Sequence, residues 1–277
     1  MKDNKSHRRT PAGNDNEAKS VERSFFSDLI MGLQFYSRFP VGKGEYETPE
    51  ISKIALALPF VSFIIGLIPA LILLFGSLVG LPPLFVASLA VGAGVLVTGA
   101  MSEDAIADSA DGLFGGQIKE KRLEIFKDSS LGTYGVTALV LYILLRIFAL
   151  SAFVAVSPFL AACLWIGVGI LSRSGALFLM LKLPPARLKG ASASVGQISN
   201  IAFFTGLAFA LLIGFILSAP FVGIFNFLFV LAIMIAINFA WLAFCKRKIG
   251  GQTGDLIGAN QALLETGILG IFLIGIV

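Results

Sequence analysis

The sequence has few charged residues, two cysteines and one histidine, and each shortage excludes a class of protein. Only 14% of its 277 residues are charged and 56% are hydrophobic, whereas a soluble domain carries about 25% charged residues. Cys163 and Cys245 lie in apolar runs, which disfavours a disulfide framework. The single histidine, His7, lies in a polar segment, which disfavours a zinc site. The composition predicts a polytopic membrane protein.

Long apolar runs predict an all-α, polytopic bundle of six to seven transmembrane helices. About 20 apolar residues are needed to cross the hydrocarbon core of a bilayer. The six longest runs cover about 54–79, 84–101, 133–156, 159–181, 201–217 and 221–245. A last run, 267–277, has only 11 residues and becomes a seventh span only if 257–264 continue it.

The first part of the chain has a different character. Residues 1–24 are polar and almost free of large apolar side chains, so they cannot bury enough surface to fold. We predict a disordered N-terminal tail, followed by one transmembrane catalytic domain over residues 25–277. The amphipathic segment 25–40 is too short to span and is expected at the membrane interface.

Charge is distributed unevenly among the connections between the spans. The turns near 76–83, 156–159 and 217–221 contain no charged residue, whereas the segments near 101–132, 182–200 and 246–266 contain many. Because basic loops remain on the cytoplasmic side, we predict a multi-pass protein of the inner membrane. The polar loops, and any site that they form, would face the cytoplasm.

The most acidic stretch runs from Ser102 to Tyr134. Asp104, Asp108 and Asp111 stand at positions i, i+4 and i+7, so on a helix their carboxylates project from one face. Clustered carboxylates repel one another unless a cation lies among them, and oxygen ligands suit Mg²⁺ or Mn²⁺. The spacing predicts a metal site, and the alternative is an ordinary solvated acidic loop.

Neighbouring residues extend this candidate site. Glu103 points about 100° away from Asp104 on a helix and is a further candidate at the metal. Asp128 is predicted to end a cationic helix over 118–130, where an acid opposes the helix dipole; this suggests a metal or substrate-hydroxyl contact, or simple solvation. The candidates for binding phosphate are Gly112, Gly115, Gly116, Arg122 and Lys127.

Two arginines lie within apolar runs and need anionic partners. Arg173 is about 12 Å from the cytoplasmic end of its span and could reach the site, whereas Arg146 lies deeper and is expected to be a structural counter-ion. The Gly-rich loops 184–197 and 250–255 are either plain turns or a phosphate cradle. They add Arg187 as a phosphate candidate and Asp255 as a further ligand.

These residues resemble the signature of the cobalamin synthase family, the adenosylcobinamide-GDP ribazoletransferases. The similarity covers about residues 25–277, but Ser102 stands where the family has histidine and Ala105 where it has glycine. The matching segments are Glu103-Asp104, Ala107-Asp108, Asp111-Gly112, Gly115-Gly116, 122–128, 132–135, 35–40, 172–173, 185–190 and 250–255.

The resemblance implies the last assembly step of the vitamin B12 coenzyme. Adenosylcobinamide phosphate would pass from adenosylcobinamide-GDP to the 5′ position of α-ribazole, or to α-ribazole 5′-phosphate, with Mg²⁺ and release of GMP. The resemblance places Asp104, Asp108 and Asp111 at the metal and Asp128 at the metal or as base, with Asp111 also a catalytic candidate. The expected partners are both substrates and membrane lipid, with a homo-oligomer left open and no nucleic acid.

Two other functions fit parts of the sequence. A CDP-alcohol-type phosphotransferase would use the same metal chemistry on a lipid substrate, although its acidic spacing differs. A polytopic transporter would place its acidic residues near the membrane midplane within broken helices. Here most charged residues lie in loops on one side, which favours an enzyme.

Overall fold

The computed structural model describes residues 25–42, 49–128, 130–187 and 196–276, so the predicted tail lies outside the described residues. The described part is helical, and its only β pairing is an isolated bridge between Pro185 and Gln252. The predicted all-α class is confirmed. In chain order the helices are α1 (Phe25–Tyr36), α2 (Ile51–Leu78), α3 (Pro83–Thr98), α4 (Met101–Gly115), α5 (Lys119–Ile125), α6 (Thr133–Val156), α7 (Pro158–Ala176), α8 (Phe178–Lys182), α9 (Asn200–Ile249) and α10 (Gly254–Ile276).

Five of the described helical units are long and apolar enough to cross a membrane: α2, α6, α7 with α8, α9 and α10. The shorter α3 meets the same criterion only together with α4, and these two helices are bent by 85°. The chain is therefore a multi-pass membrane protein, as the composition predicts.

Helix α9 is a hairpin with two arms, 200–222 and 224–249. Gly223 has φ 79° and ψ 161°, a conformation that essentially only glycine adopts. The rings of Phe215 and Phe227 lie 5.2 Å apart, whereas the same stretch of straight helix would be about 18 Å long. The predicted turn at 217–221 is helical, and the chain reverses at Gly223 instead.

Each arm of α9 is long enough to be a span. Dividing α9 raises the number of spans in the described residues to six, or to seven when α3 and α4 count as one bent span. This agrees with the predicted six to seven.

The residues before the last apolar run extend it into a full span, so the seventh span that the sequence left open is present. Helix α10 is continuous over 23 residues and α9 extends to Ile249, so the predicted polar loop 246–266 is wrong. Asn260, Gln261 and Glu265 are buried within the bundle. Polar side chains are tolerated inside a membrane helix when they face the protein interior and find partners there.

A sharp turn separates α3 from the acidic helix α4. Gly99 and Ala100 have positive φ angles of 66° and 59°, and Gly99 ends α3 in the left-handed conformation that glycine favours at this position. The apolar run 84–101 therefore ends at this turn and does not continue straight into the acidic motif. The predicted helix through the motif itself is confirmed.

The helix predicted over 118–130 is shorter than expected. Helix α5 has seven residues, and the amides of Lys127 and Asp128 donate to the carbonyls of Glu124 and Ile125 in a tighter turn. Asp128 therefore lies beyond the helix and not in its last turn.

Helix α7 lies at the centre of the bundle because small residues let its neighbours approach. Gly66 on α2 faces Ile166, Gly214 on the first arm of α9 faces Leu171, and Gly175 faces Met234 on the second arm. This packing brings the C-terminal end of α7 next to the N-terminal ends of α2 and α10.

Candidate functional site

A cavity of about 650 Å³ lies where the ends of α1, α2, α7, α8 and α10 meet the turn between α3 and α4. Four charged residues line it: Arg38, Asp104, Arg173 and Asp255. A cavity with both carboxylates and guanidinium groups can bind a cation and an anion together. The structure thus brings together three residues predicted from separate parts of the sequence, Asp104, Arg173 and Asp255.

Asp104 and Asp255 reach the cavity from two helices that touch. At the contact between α4 and α10, a Cβ added at Gly258 would lie 2.5 Å from the Ala105 Cβ. Asp108, one turn beyond Asp104, interacts electrostatically with Asp104 and Asp255. Carboxylates held this close repel one another, and their oxygens are the donors that could hold a divalent cation here.

Asp111 is occupied at the start of α6. Its Oδ2 accepts a hydrogen bond from the Gly132 amide at 2.7 Å and its Oδ1 accepts one from the Gly135 amide at 2.9 Å. A Cβ added at Gly132 would lie 2.5 Å from Asp111 Oδ1. Asp111 therefore ties α4 to the N-terminus of α6, where the helix dipole favours a negative charge.

The acidic triad shares one helix, as predicted, but it does not form a finished metal site by itself. In the ranges that the structure describes, no three Asp, Glu, His or Cys side chains are already placed around a position for a metal ion. Asp111 is turned to α6, while Asp104 faces the cavity. The metal and catalytic roles of Asp111 remain predictions.

A buried network of charges lies beside the cavity. Arg146 Nη1 donates to Glu103 Oε1 at 2.5 Å, and Arg146 Nε lies 2.9 Å from Glu265 Oε1. The Tyr142 hydroxyl donates to Glu265 Oε2 at 2.7 Å. The predicted anionic partner of Arg146 is confirmed, and Glu103 is one of two such partners. A role of Glu103 at a metal remains a prediction.

Sequence analysis missed Glu265 and Arg38. Glu265 falls within the predicted polar segment 246–266, although a carboxylate next to the apolar run 267–277 indicates the need for a buried partner. Arg38 follows the interfacial helix α1, and its amide donates to the Val97 carbonyl at 2.7 Å. Nothing in its sequence position indicates that α3 lies beside it.

Two predicted phosphate ligands bind backbone carbonyls of neighbouring segments. The guanidinium of Arg122 donates to the carbonyls of Lys248 and Gln117 at 2.9 and 2.8 Å. That of Arg187 donates to the Leu123 carbonyl at 3.0 Å. Neither arginine lines the described cavity, so their binding of phosphate remains a prediction.

The glycines of the acidic motif make room for α5 and the turn after it. A Cβ at Gly112 would lie 2.5 Å from the Phe126 ring, and one at Gly116 would lie 2.8 Å from Arg122. Gly115 approaches Ile125 in the same way, at 3.3 Å. Close packing alone therefore explains these glycines, and their contact with phosphate remains a prediction.

Lys127 and Asp128 face solvent and are not among the cavity-lining residues. Asp128 Oδ1 accepts hydrogen bonds from the Ser130 amide and hydroxyl at 3.0 and 2.7 Å. These bonds lower the pKa of Asp128, which keeps it ionised and a weaker base. Its catalytic role remains a prediction.

The two Gly-rich loops pair with each other. The Ala186 amide donates to the Gln252 carbonyl at 2.8 Å, and the Gln252 amide donates to the Pro184 carbonyl at 2.9 Å. Gly251 permits this because a Cβ there would meet the Pro184 carbonyl at 2.7 Å. Residues 188–195 of the first loop lie outside the described residues.

Most of the chain matches one known protein family. The family described as Cobalamin-5-phosphate synthase matches residues 28–273. The chain belongs to this family. The match begins in α1 and ends in α10, so the matched region includes every helix that lines the cavity.

Curated relatives support the same membership. An adenosylcobinamide-GDP ribazoletransferase of Azorhizobium caulinodans is 41% identical over 247 residues, which cover 88% of this chain and 94% of the relative. Enzymes of the same name from Xanthobacter autotrophicus and Rhizobium johnstonii are 41% and 38% identical, over 90% and 89% of this chain and 95% and 96% of the relatives. No solved structure matches significantly.

Proposed function

We propose that this chain transfers adenosylcobinamide phosphate from adenosylcobinamide-GDP to a ribose hydroxyl of α-ribazole, or of α-ribazole 5′-phosphate, and releases GMP. Its relatives are named for such a transfer. The observation that supports the site is the cavity lined by Asp104, Asp255, Arg38 and Arg173. A diphosphate with a divalent cation needs ligands of both charges.

The chemistry of the acceptor corrects one detail of the expected reaction. The 5′ oxygen of α-ribazole 5′-phosphate already carries a phosphate. The nucleophile common to both acceptors must therefore be a different ribose hydroxyl. Its oxygen forms the new bond to the phosphorus that carries the cobinamide arm, and the bond from that phosphorus to the GMP oxygen breaks.

The residues on α4 and α10 offer the donor atoms for a magnesium ion, although no three of the described carboxylates are already placed around one position. Asp104 and Asp255 line the cavity, Asp108 interacts with both, and all three offer the hard oxygen donors that Mg²⁺ prefers. Mg²⁺ held there would neutralise the diphosphate and stabilise the departing GMP. Arg173 would bind a phosphate oxygen, and a neighbouring carboxylate would accept the hydroxyl proton.

The active site would face the cytoplasm from the inner membrane. The cavity lies at the end of the bundle where α2 and α10 begin, and the basic last turns of α5 and α9 belong to the same end but lie outside the cavity lining. Basic segments favour the cytoplasmic side. Both substrates would then enter from one side, unlike the cargo of a transporter, and a lipid-type phosphotransferase is disfavoured by the family match.

The test uses membranes that contain the chain, incubated with adenosylcobinamide-GDP, α-ribazole and Mg²⁺. We expect GMP release, its loss with a chelator, and a fall of at least about 100-fold for Asp104→Asn and for Asp255→Asn, because each removes an oxygen anion from the proposed metal site. Without GMP release by the wild-type chain the proposed reaction is wrong. If both variants keep full activity, the proposed site is wrong.

A further inference from the structure

The cavity contains two guanidinium groups in addition to its two carboxylates. We infer that Arg38, Arg173 and the N-terminus of α4 form one anion site that binds the diphosphate of a nucleoside-diphosphate-linked donor. The inference rests on the proposed function for the identity of that donor, but the anion site itself follows from the cavity.

Arg173 is a largely buried cation on α7 that faces both this cavity and the small enclosed space beside Arg146. Among the described residues it forms no ion pair and no hydrogen bond. The nearby Glu265 is already engaged by Arg146 and Tyr142. A guanidinium within an apolar span is costly without a partner, and an anion in the cavity would supply that partner.

Arg38 reaches the same cavity from the segment that follows α1. Its side chain lies over Gly99, since the atoms nearest to a Cβ added at Gly99 are the Arg38 Nε, Cζ and Cδ. The Arg38 backbone is fixed by its bond to the Val97 carbonyl. Gly99 thus has two effects: it allows the turn into α4, and because it has no side chain the Arg38 guanidinium can lie at the cavity wall.

The start of α4 adds backbone donors to the same wall. Gly99, Ala100 and Met101 line the cavity, and the N-cap Ala100 has no side chain that could bond the first amides of the helix. The first amides of a helix have no partner within it, and the helix dipole favours an anion there. These free amides therefore attract an anion to the same wall of the cavity, as the two guanidinium groups do.

The number and placement of these groups favour a diphosphate over a single phosphate. Arg38 and Arg173 come from separate elements, so each planar guanidinium can bind a different phosphate. Tyr36, beside them, remains a neutral hydroxyl because burial raises its pKa to about 12, although the Arg173 charge lowers it. The carboxylates in the cavity leave room for the cation that normally accompanies a diphosphate.

The test measures GDP binding to the detergent-solubilised full chain by calorimetry in a Mg²⁺ buffer. We expect Arg38→Gln and Arg173→Gln to weaken GDP binding at least about tenfold. Arg38→Lys should weaken it less, because lysine keeps the positive charge but lacks the planar set of N–H donors of a guanidinium. The matched control is Arg247→Gln, since Arg247 lies over the Phe244 ring at the end of α9 and away from the cavity. It should bind GDP within about twofold of the wild type.

Arg38 is exposed, so its variants should fold even if Arg173→Gln does not, and the melting temperature of each variant checks this. If a folded Arg38→Gln chain binds GDP as tightly as the wild type does, the inference is wrong, even where GMP release upholds the proposed reaction. Conversely, GDP binding that depends on Arg38 in a chain without transferase activity would uphold the anion site and reject the reaction.

Discussion

Asp111 acts at the start of α6 as a capping side chain that comes from another helix. Gly132 is the N-cap of α6, and the amides of Gly132 and Gly135 are among those without a partner inside the helix. The carboxylate satisfies both amides and lies where the helix dipole stabilises a negative charge. Because neither glycine has a side chain, α4 can approach closely enough for these bonds.

We predict that Gly135→Ala lowers the stability of the folded chain. The added methyl group would overlap Asp111 and lie 2.9 Å from the Ala107 carbonyl, which should cost about 1–3 kcal/mol. The melting temperature in detergent should fall by several degrees. Gly92→Ala is the control, because that helical glycine has open space around it and the substitution should leave the melting temperature unchanged or raise it. Equal melting temperatures would contradict the role given to Asp111.

For single residues, the sequence indicates which side chains are functionally or structurally important better than it indicates which groups they contact. Periodicity places Asp104 and Asp108 on one helix face correctly, and burial in an apolar run correctly predicts that Arg146 needs an anion. The spacing could not show that Asp111 would find the amides of Gly132 and Gly135, since those bonds depend on how α4 packs against α6. Arg38 was missed for the same reason.

The contact between α4 and α10 determines how far apart the carboxylates of the two helices lie. Ala105 and Gly258 meet at that contact, and Asp104 and Asp255 are their near neighbours in sequence. The glycine expected from the resemblance at position 105 is here an alanine, and its methyl group is accommodated by the missing side chain at Gly258. Small residues at such contacts let membrane helices approach closely.

We predict that Gly258→Val separates the two helices and weakens the proposed magnesium binding without unfolding the chain. The half-saturating Mg²⁺ concentration for GMP release should rise by about tenfold or more, because Asp104 and Asp255 would no longer share a cation. Gly270→Val on the same helix is the control, since a Cβ at Gly270 meets nothing within 4 Å. An unchanged Mg²⁺ requirement in Gly258→Val would show that the cation does not lie between α4 and α10.

The existence of helices is easier to predict than the positions where they end. The break at Gly223 lies beyond the predicted turn at 217–221, because Pro220 is accommodated within helix while only glycine adopts the φ and ψ of the reversal. The predicted polar segment 246–266 extends far beyond the actual connection between α9 and α10, which runs from Gly250 to Thr253. The pairing of Glu265 with Arg146 is a tertiary contact that local sequence does not reveal.

At the scale of the whole bundle, apolar side chains of the described residues cover the outside, while their charged side chains lie inside or at one end. Residues such as Leu96 and Phe225, 77% and 81% exposed, are suited to a lipid environment. The cavity is formed by six separate segments, so its shape depends on the complete bundle. The sequence predicted which end would hold the site through the alternation of charged and uncharged connections, and the depth and size of the cavity required the structure.

This arrangement predicts opposite accessibility for the two ends of the bundle. In a chain with Cys163→Ala and Cys245→Ala, Lys127→Cys marks the exposed turn after α5 and Val79→Cys marks the exposed turn after α2. A membrane-impermeant thiol reagent should label Val79→Cys from the periplasmic side of spheroplasts and Lys127→Cys only in inverted inner-membrane vesicles, because basic connections remain in the cytoplasm. Labelling of both positions from one side would contradict the spans, whereas the reverse pattern would keep the spans and place the active site on the periplasmic face.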